Sequence, residues 1–214
     1  MKPAPCFWQR ACPLAEWLYE RGIGEARAAL VIGGTIVEAA IECDGTGPRA
    51  GTIAEARLAE VIVPRLRGRV TLAGQGDALL DGIPAGLSEG AGLLVRIVRE
   101  AIPEPGRSKL PKAVAATETN GPSPGPDLLE RISATDYPVR HCHAHEPDRL
   151  EDAGWSEVLD EALRGEIAFP GGALRLSVTP AMTLFDVDGS LPPASLAAAA
   201  ARAIAAAIVR HGIG

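Results

Sequence analysis

Glycine sets the rhythm of this chain between Thr52 and Ile102. It cuts the segment into short β-rich runs: TIAEARLAEVIV, RGRVTLAG, DALLDGIP and, after the turn Gly86–Gly92, GLLVRIVREAI. In the last run Leu93, Val95 and Ile97 share one face, while Arg96 and Glu100 point the other way. Several short strands at such close spacing predict a small antiparallel barrel.

The rest of the 214 residues divides around that core. Residues 1–13 show no periodicity and read as a disordered extension. RAALVIGGTIVEAAIEC reads as two strands around Gly33-Gly34, a hairpin signal. The N-terminal strands and the barrel together occupy 14–112. AVAATETNGPSPGPD is a linker by composition, which sets a boundary region at 113–130. Residues 131–214 form the second part. There YPVRHCHAH looks extended, and SEVLDEALRG predicts a short helix with Ser156 as N-cap and Gly165 just past its end. EIAFPGGALRLSVTPAMTLFDVDG predicts three strands with sharp turns. SLAAAAARAIAAAIVRHG predicts a helix whose buried stripe is Leu196, Ala200, Ile204 and Ile208.

Composition narrows the function classes. A net charge of −6 argues against a protein that coats nucleic acid through a large basic surface, but leaves room for a local basic groove. Cys6, Cys12, Cys43 and Cys142 form no Cys-x-x-Cys pair, so they read as free thiols in a reducing compartment. The most apolar stretch, Ala194 to Val209, is interrupted by Arg202 and too rich in alanine to predict a membrane span. The N-terminus lacks a signal-peptide pattern. The expected location is cytoplasmic, with no membrane partner.

Near the end stands AMTLFDVDGSLPP. Residues two apart on a strand face the same way, so Met182, Leu184, Asp186 and Asp188 share one face and Thr183, Phe185 and Val187 the other. Aspartate is depleted in strands, and a buried carboxylate is costly unless paired or bound to a cation. Mg²⁺, a hard ion content with one or two carboxylates, water and a phosphate, is the natural cation. The bland alternative has Asp188 opening a turn with Gly189 and Asp186 half exposed.

LFDVDGSL also resembles the first motif of haloacid-dehalogenase-type phosphatases. That motif opens a domain of more than a hundred residues, and only 23 follow Leu191, so a phosphatase is the remote alternative. A longer resemblance covers, with gaps, Ala15 to the end. GGALRLSVTPAMTLFDVDGS resembles the catalytic strand pair of the ribonuclease E/G family. SEVLDEALRGEIAFP resembles the helix and strand before it. EGAGLLVRIVREAIPEPGRSKLPKAV resembles the closing strands of its OB-type RNA-binding barrel, and AEWLYERGIGEARAALVIGGTIVEAAIE the start of its short members.

The resemblance implies an α/β (α+β) fold: an RNase H-like mixed sheet with helices and an inserted OB-type barrel. It implies Mg²⁺-dependent endoribonuclease cleavage of single-stranded RNA, leaving a 5′-phosphate and a 3′-hydroxyl, by a protein that can form a homo-oligomer. Asp186 falls on the family's first metal aspartate. Asp188 falls where many members carry an asparagine, so both are the expected catalytic and metal residues. The family's second metal aspartate lies on the strand after the helix that here ends at His211, and the chain is expected to stop short of it. The barrel positions where larger members carry stacking aromatics fall near Val70 and Leu79, which are aliphatic. A module that binds RNA or serves assembly without catalysis is therefore the alternative.

Arg96, Arg99, Arg107, Lys109 and Lys112 are the expected RNA-phosphate contacts, weighed against ordinary solvated charge beside Glu100 and Glu104. The stretch HCHAH would set His141, His143 and His145 on one strand face. Zinc and an exposed strand face are its two readings, and His143 and His145 would stand about 7 Å apart. Trp8, Trp17 and Trp155 are too scattered for a stacking platform and read as packing residues.

Overall fold

A computed structural model describes residues 14–103, 108–117, 121–179 and 182–213. The structure is mixed α+β and mostly strand. It divides into two compact units, one made of 43–131 and the other of the described residues in 1–42 and 132–214. The sequence boundary at residue 113 therefore moves, and the N-terminal strands belong with the C-terminal part.

The unit 43–131 is a closed five-stranded barrel. We number strands and helices in chain order. β4 (Ile53–Val63), β5 (Arg67–Leu72), β6 (Gly76–Asp81), β7 (Gly92–Arg99) and β8 (Lys112–Ala115) close in the order β4-β5-β6-β8-β7, with β7 returning to β4. Four contacts are antiparallel. The fifth, β6 with β8, is parallel, because β8 inserts between β6 and β7 after the chain turns back from β7. Strand alternation fills the interior with Leu58, Val70, Leu72, Leu80, Val95 and Ile97, all fully buried or nearly so.

The segment read as a linker is largely structured. It begins inside β8. Ser123 then exchanges both backbone hydrogen bonds with Ile53 at 2.9 Å, and the Gly125 amide donates to Oγ1 of the buried Thr52 at 3.0 Å. The short helix α1 (Leu128–Ser133) opens with a reciprocal capping box. The Glu130 amide donates to Asp127 Oδ1 and the Asp127 amide to Glu130 Oε2, both at 2.8 Å.

The other unit holds two sheets. β1 (Ala15–Arg21), β2 (Glu25–Ile32), β3 (Thr35–Cys43) and β9 (Val139–Cys142) order as β3-β2-β1-β9. The predicted hairpin is there. Gly33 and Gly34 both take positive φ, 61° and 82°, as a tight two-residue turn between twisted strands requires. β9 pairs parallel to β1, so the chain leaves this sheet after β3 and re-enters beside its first strand. Leu18, Ala29, Ile36, Leu150, Trp155 and Val158 build the core under it. Leu150 comes from α2 (Arg149–Asp152), capped by Asp148, and Trp155 and Val158 from α3 (Trp155–Arg164). Trp155 and Trp17 are both core residues, 3% exposed, whereas Trp8 lies outside the described residues.

Helix α3 ends at Gly165 as expected, but it starts earlier than predicted. Burial of Trp155 pulls the first turn forward, Gly154 takes the cap at φ 96°, and Ser156 Oγ instead donates to Glu151 Oε2 at 2.8 Å.

The second sheet is β10 (Glu166–Phe169), β11 (Gly172–Val178) and β12 (Thr183–Gly189), antiparallel throughout and in that order. Helix α4 (Pro193–Arg210) covers one face, with Pro193 in its first turn. Ala200, Ala203, Ile204 and Ala207 meet Ile167, Leu174, Phe185 and Val187. The stripe drifts from the predicted one at its end, since Ala207 is buried and Ile208 is 40% exposed. A helix turns 3.6 residues, so a strict fourfold spacing walks off the contact within three turns. By length and composition alone α4 could also cross a membrane. Its end is tied to α3: Glu161 Oε2 accepts from Arg210 Nη1 at 3.0 Å and lies 3.1 Å from His211 Nε2.

Candidate functional site

The outer wall of the barrel carries its charges in pairs. On β5, Gly68, Val70 and Leu72 face inward, so Arg67, Arg69 and Thr71 face out. On β6 the outward residues are Asp77, Leu79 and Asp81. The register sets Arg67 opposite Asp81, Arg69 opposite Leu79, and Thr71 opposite Asp77, while Lys112 on β8 stands opposite Leu79. Asp81 bridges two cations, Arg67 Nε at 3.2 Å and Lys112 Nζ at 3.6 Å. Arg69 pairs with Glu60 at 3.0 Å and Asp77 at 3.3 Å, and Thr71 donates to Asp77 at 2.7 Å.

Of the predicted basic cluster, Lys112 belongs to this wall. Arg99 ends β7 opposite Lys112, and its Nη2 donates to the Leu110 carbonyl at 2.6 Å. Lys109 bridges back to Ile102, and Arg96 points outward from β7 opposite Val114. Arg107 lies outside the described residues. Sequence reading missed Arg67 and Arg69, although the alternation of RGRVTL puts both on one face. It also misplaced Val70, which is fully buried and cannot stack on a base. Leu79 does face outward. The stretch 43–131 contains no Phe, Trp, Tyr or His, and it holds as many basic as acidic residues, so the whole net charge of −6 falls outside it.

A groove of about 930 Å³ runs over β4, β5 and β7 and meets the charged wall at Thr71. Leu93, Leu94 and Ala73 line it beside Glu55 and Arg57. Arg57 is held by the Gly90 carbonyl. Two opposite charges on an apolar floor give this groove no phosphate-binding character.

In the other unit, Asp186 and Asp188 share a face of β12 with Leu184, as alternation requires. That face is the one away from α4. Phe185 and Val187 take the helix side, and both aspartates are exposed to solvent. The aspartates are therefore not buried carboxylates that demand a cation. Arg175 on β11 stands opposite Asp186 and reaches Asp188 at 3.7 Å and Glu166 at 3.4 Å. Asp186 Oδ1 accepts a hydrogen bond from the Val187 amide at 3.1 Å. Among the described residues no group of three His, Cys, Asp or Glu side chains is placed to hold a metal ion. Two exposed carboxylates facing a guanidinium do not make a closed Mg²⁺ site.

The stretch HCHAH does not stay on one strand. β9 ends at Cys142, and the chain turns at once, with the Glu146 amide bonding the His143 carbonyl at 2.9 Å. His141 packs edge-on against Tyr19, while the rings of His143 and His145 stack with centroids 5.6 Å apart. Cys142 is half-buried. Burial, and then the Glu20 carboxylate, raise its thiol above the ordinary value; Arg149 opposes them, and Asp148 and Glu146 add smaller upward effects. Cys142 is a poor candidate for a nucleophile, since its thiolate is disfavoured.

No family model matches the chain, and a search of curated proteins found no significant match. The geometry alone must therefore carry the function. Among the described residues the β5-β6-β8 wall gathers Arg67, Arg69 and Lys112 from neighbouring strands, and the second sheet exposes Asp186 and Asp188.

Proposed function

We propose that this chain binds single-stranded RNA through the barrel, in an architecture like that of the ribonuclease E/G family. The observation that carries the reading is the strand order. A five-stranded closed barrel ordered β4-β5-β6-β8-β7, with its third and fifth strands parallel, is the order that an OB-type barrel would take. Its second and third strands carry Arg67, Arg69, Thr71 and Leu79 outward, on the wall with which OB barrels bind oligonucleotides. The host sheet supports the same reading. A β3-β2-β1 meander with β9 added parallel to β1 is the order with which an RNase H-like sheet would open, and the barrel segment falls between β3 and β9 in the chain.

Without aromatic side chains, the barrel lacks base-stacking platforms. Affinity then comes from phosphates and from guanidinium planes, and falls steeply with salt. Fluorescence anisotropy of a labelled oligouridylate with the full chain tests this. Binding that weakens as salt rises from about 50 to 200 mM supports the reading, and no binding at the lower salt refutes it.

A second reading, hydrolysis of the RNA phosphodiester, is favoured by Asp186 and Asp188 projecting side by side from β12. Metal-assisted cleavage requires a fixed ion, and among the described residues no third His, Cys, Asp or Glu joins this pair. Cleavage of single-stranded RNA by the wild type, lost in Asp186→Ala, would bring this reading to the front.

A further inference from the structure

We propose that Asp81 occupies a phosphate site on the barrel and competes there with the nucleic acid. This rests on the RNA-binding reading and names the residue that limits it. Arg67 and Lys112 come from β5 and β8, the two strands that flank β6, and both reach across to the one carboxylate at its end. Each of its two oxygens takes one cation, Oδ1 the Arg67 Nε and Oδ2 the Lys112 Nζ. The two non-bridging oxygens of a phosphodiester present the same pattern of paired acceptors.

All three side chains are open to solvent, at 49% for Arg67, 36% for Lys112 and 35% for Asp81, so a phosphate can approach and the ion pairs it must displace are weak. Arg69, two residues along the same face, extends the track and is likewise held by Glu60 and Asp77. A barrel that cannot stack bases depends on every cation it can free. Asp81 withholds two of them at once.

The test is anisotropy binding of a labelled oligouridylate to the full chain, comparing the wild type with Asp81→Asn, Arg67→Ala and Lys112→Ala, and with Asp81→Asn combined with each alanine. Glu55→Gln, on the β4 wall, controls for the loss of one negative charge. Asp81→Asn is expected to bind about three- to tenfold tighter at about 50 mM salt, with a log–log salt slope steeper by about 0.7 for each phosphate newly engaged. Each alanine is expected to cancel that gain, and Glu55→Gln to give little of it. Melting curves verify that every variant is folded.

A gain that survives both alanines, or that Glu55→Gln reproduces, overturns the proposal in favour of bulk charge. So does unchanged affinity in Asp81→Asn while an alanine variant still weakens the wild type, and in that case the RNA-binding reading stands. If none of these proteins binds at the lower salt, both fall together.

Discussion

Gly172 and Gly189 stand directly opposite each other in the β11–β12 ladder, beneath Leu196 of α4. A Cβ on Gly189 would lie 2.5 Å from the Gly171 carbonyl oxygen and 2.5 Å from Leu196 Cδ1. One on Gly172 would meet the Asp188 carbonyl oxygen and Leu196. The glycine that closes LFDVDG thus serves the approach of helix to sheet. Gly189→Ala is expected to lose about 1–3 kcal/mol, the usual cost of overfilling a packed contact, in urea unfolding. A variant as stable as the wild type would show that α4 does not press on this corner.

The sequence made strand faces readable wherever one side is buried. Asp186 with Asp188, and Val95 with Ile97, fall where alternation puts them. It did not reveal what each face meets. Whether Asp186 looks into a groove depends on which side α4 takes, and that follows from Phe185 and Val187 packing against Ala200 and its neighbours. Composition hid β8 for a different reason, although the resemblance of the run ending KLPKAV to closing strands reached it. Four residues, KAVA, beside a run rich in proline and glycine, become a strand only because β6 and β7 offer two ladders to fill. The histidines were misjudged because the Asp148 cap of α2 follows so soon that the chain must leave the sheet at Cys142.

Trp17 Nε1 donates to Thr135 Oγ1 at 3.0 Å, joining β1 to a residue on the far side of the barrel insertion. Trp17 is 3% exposed, so the indole N–H has no water to fall back on. Thr135→Val is expected to destabilise by about 1–3 kcal/mol, the cost of an unsatisfied buried donor, and Thr135→Ser to stay near wild type. A loss in Thr135→Ser with Thr135→Val near wild type would assign the effect to the methyl group instead.

Cys43 and Cys142 separate by environment. Cys43 is exposed, while Cys142 is half-buried with its thiol raised above the ordinary 9.0 by burial and by Glu20. A raised thiol keeps its proton to higher pH, so Cys142 is expected to alkylate more slowly than Cys43 at neutral pH, with its rate still climbing above pH 9.0. Peptide mapping after iodoacetamide treatment checks the order. The neutral thiol is favoured in the folded state, so this contribution to stability is present below the unfolded pKa and is lost as pH rises through the folded one. Glu20→Gln is expected to speed Cys142 alkylation at fixed pH, by removing the second cause of the shift.

The carboxylate pair on β12 makes the sharpest test of metal chemistry. A site that bound Mg²⁺ a hundredfold below the applied concentration would add about 2.7 kcal/mol to stability. In a chain of this size that would raise Tm by several degrees, at about 2–4 °C per kcal/mol. Asp186 and Asp188 are exposed and face Arg175, with no third ligand among the described residues. The expected result is therefore a Tm that Mg²⁺ leaves unchanged, in the wild type and in Asp186→Asn/Asp188→Asn alike. A rise in the wild type that the double variant loses would mean that two aspartates and water suffice to hold the ion, and would favour the hydrolysis reading. Arg175→Ala adds a second arm. It removes the cation that competes for Asp188, so if a latent ion site exists, Mg²⁺ raises the Tm of this variant first.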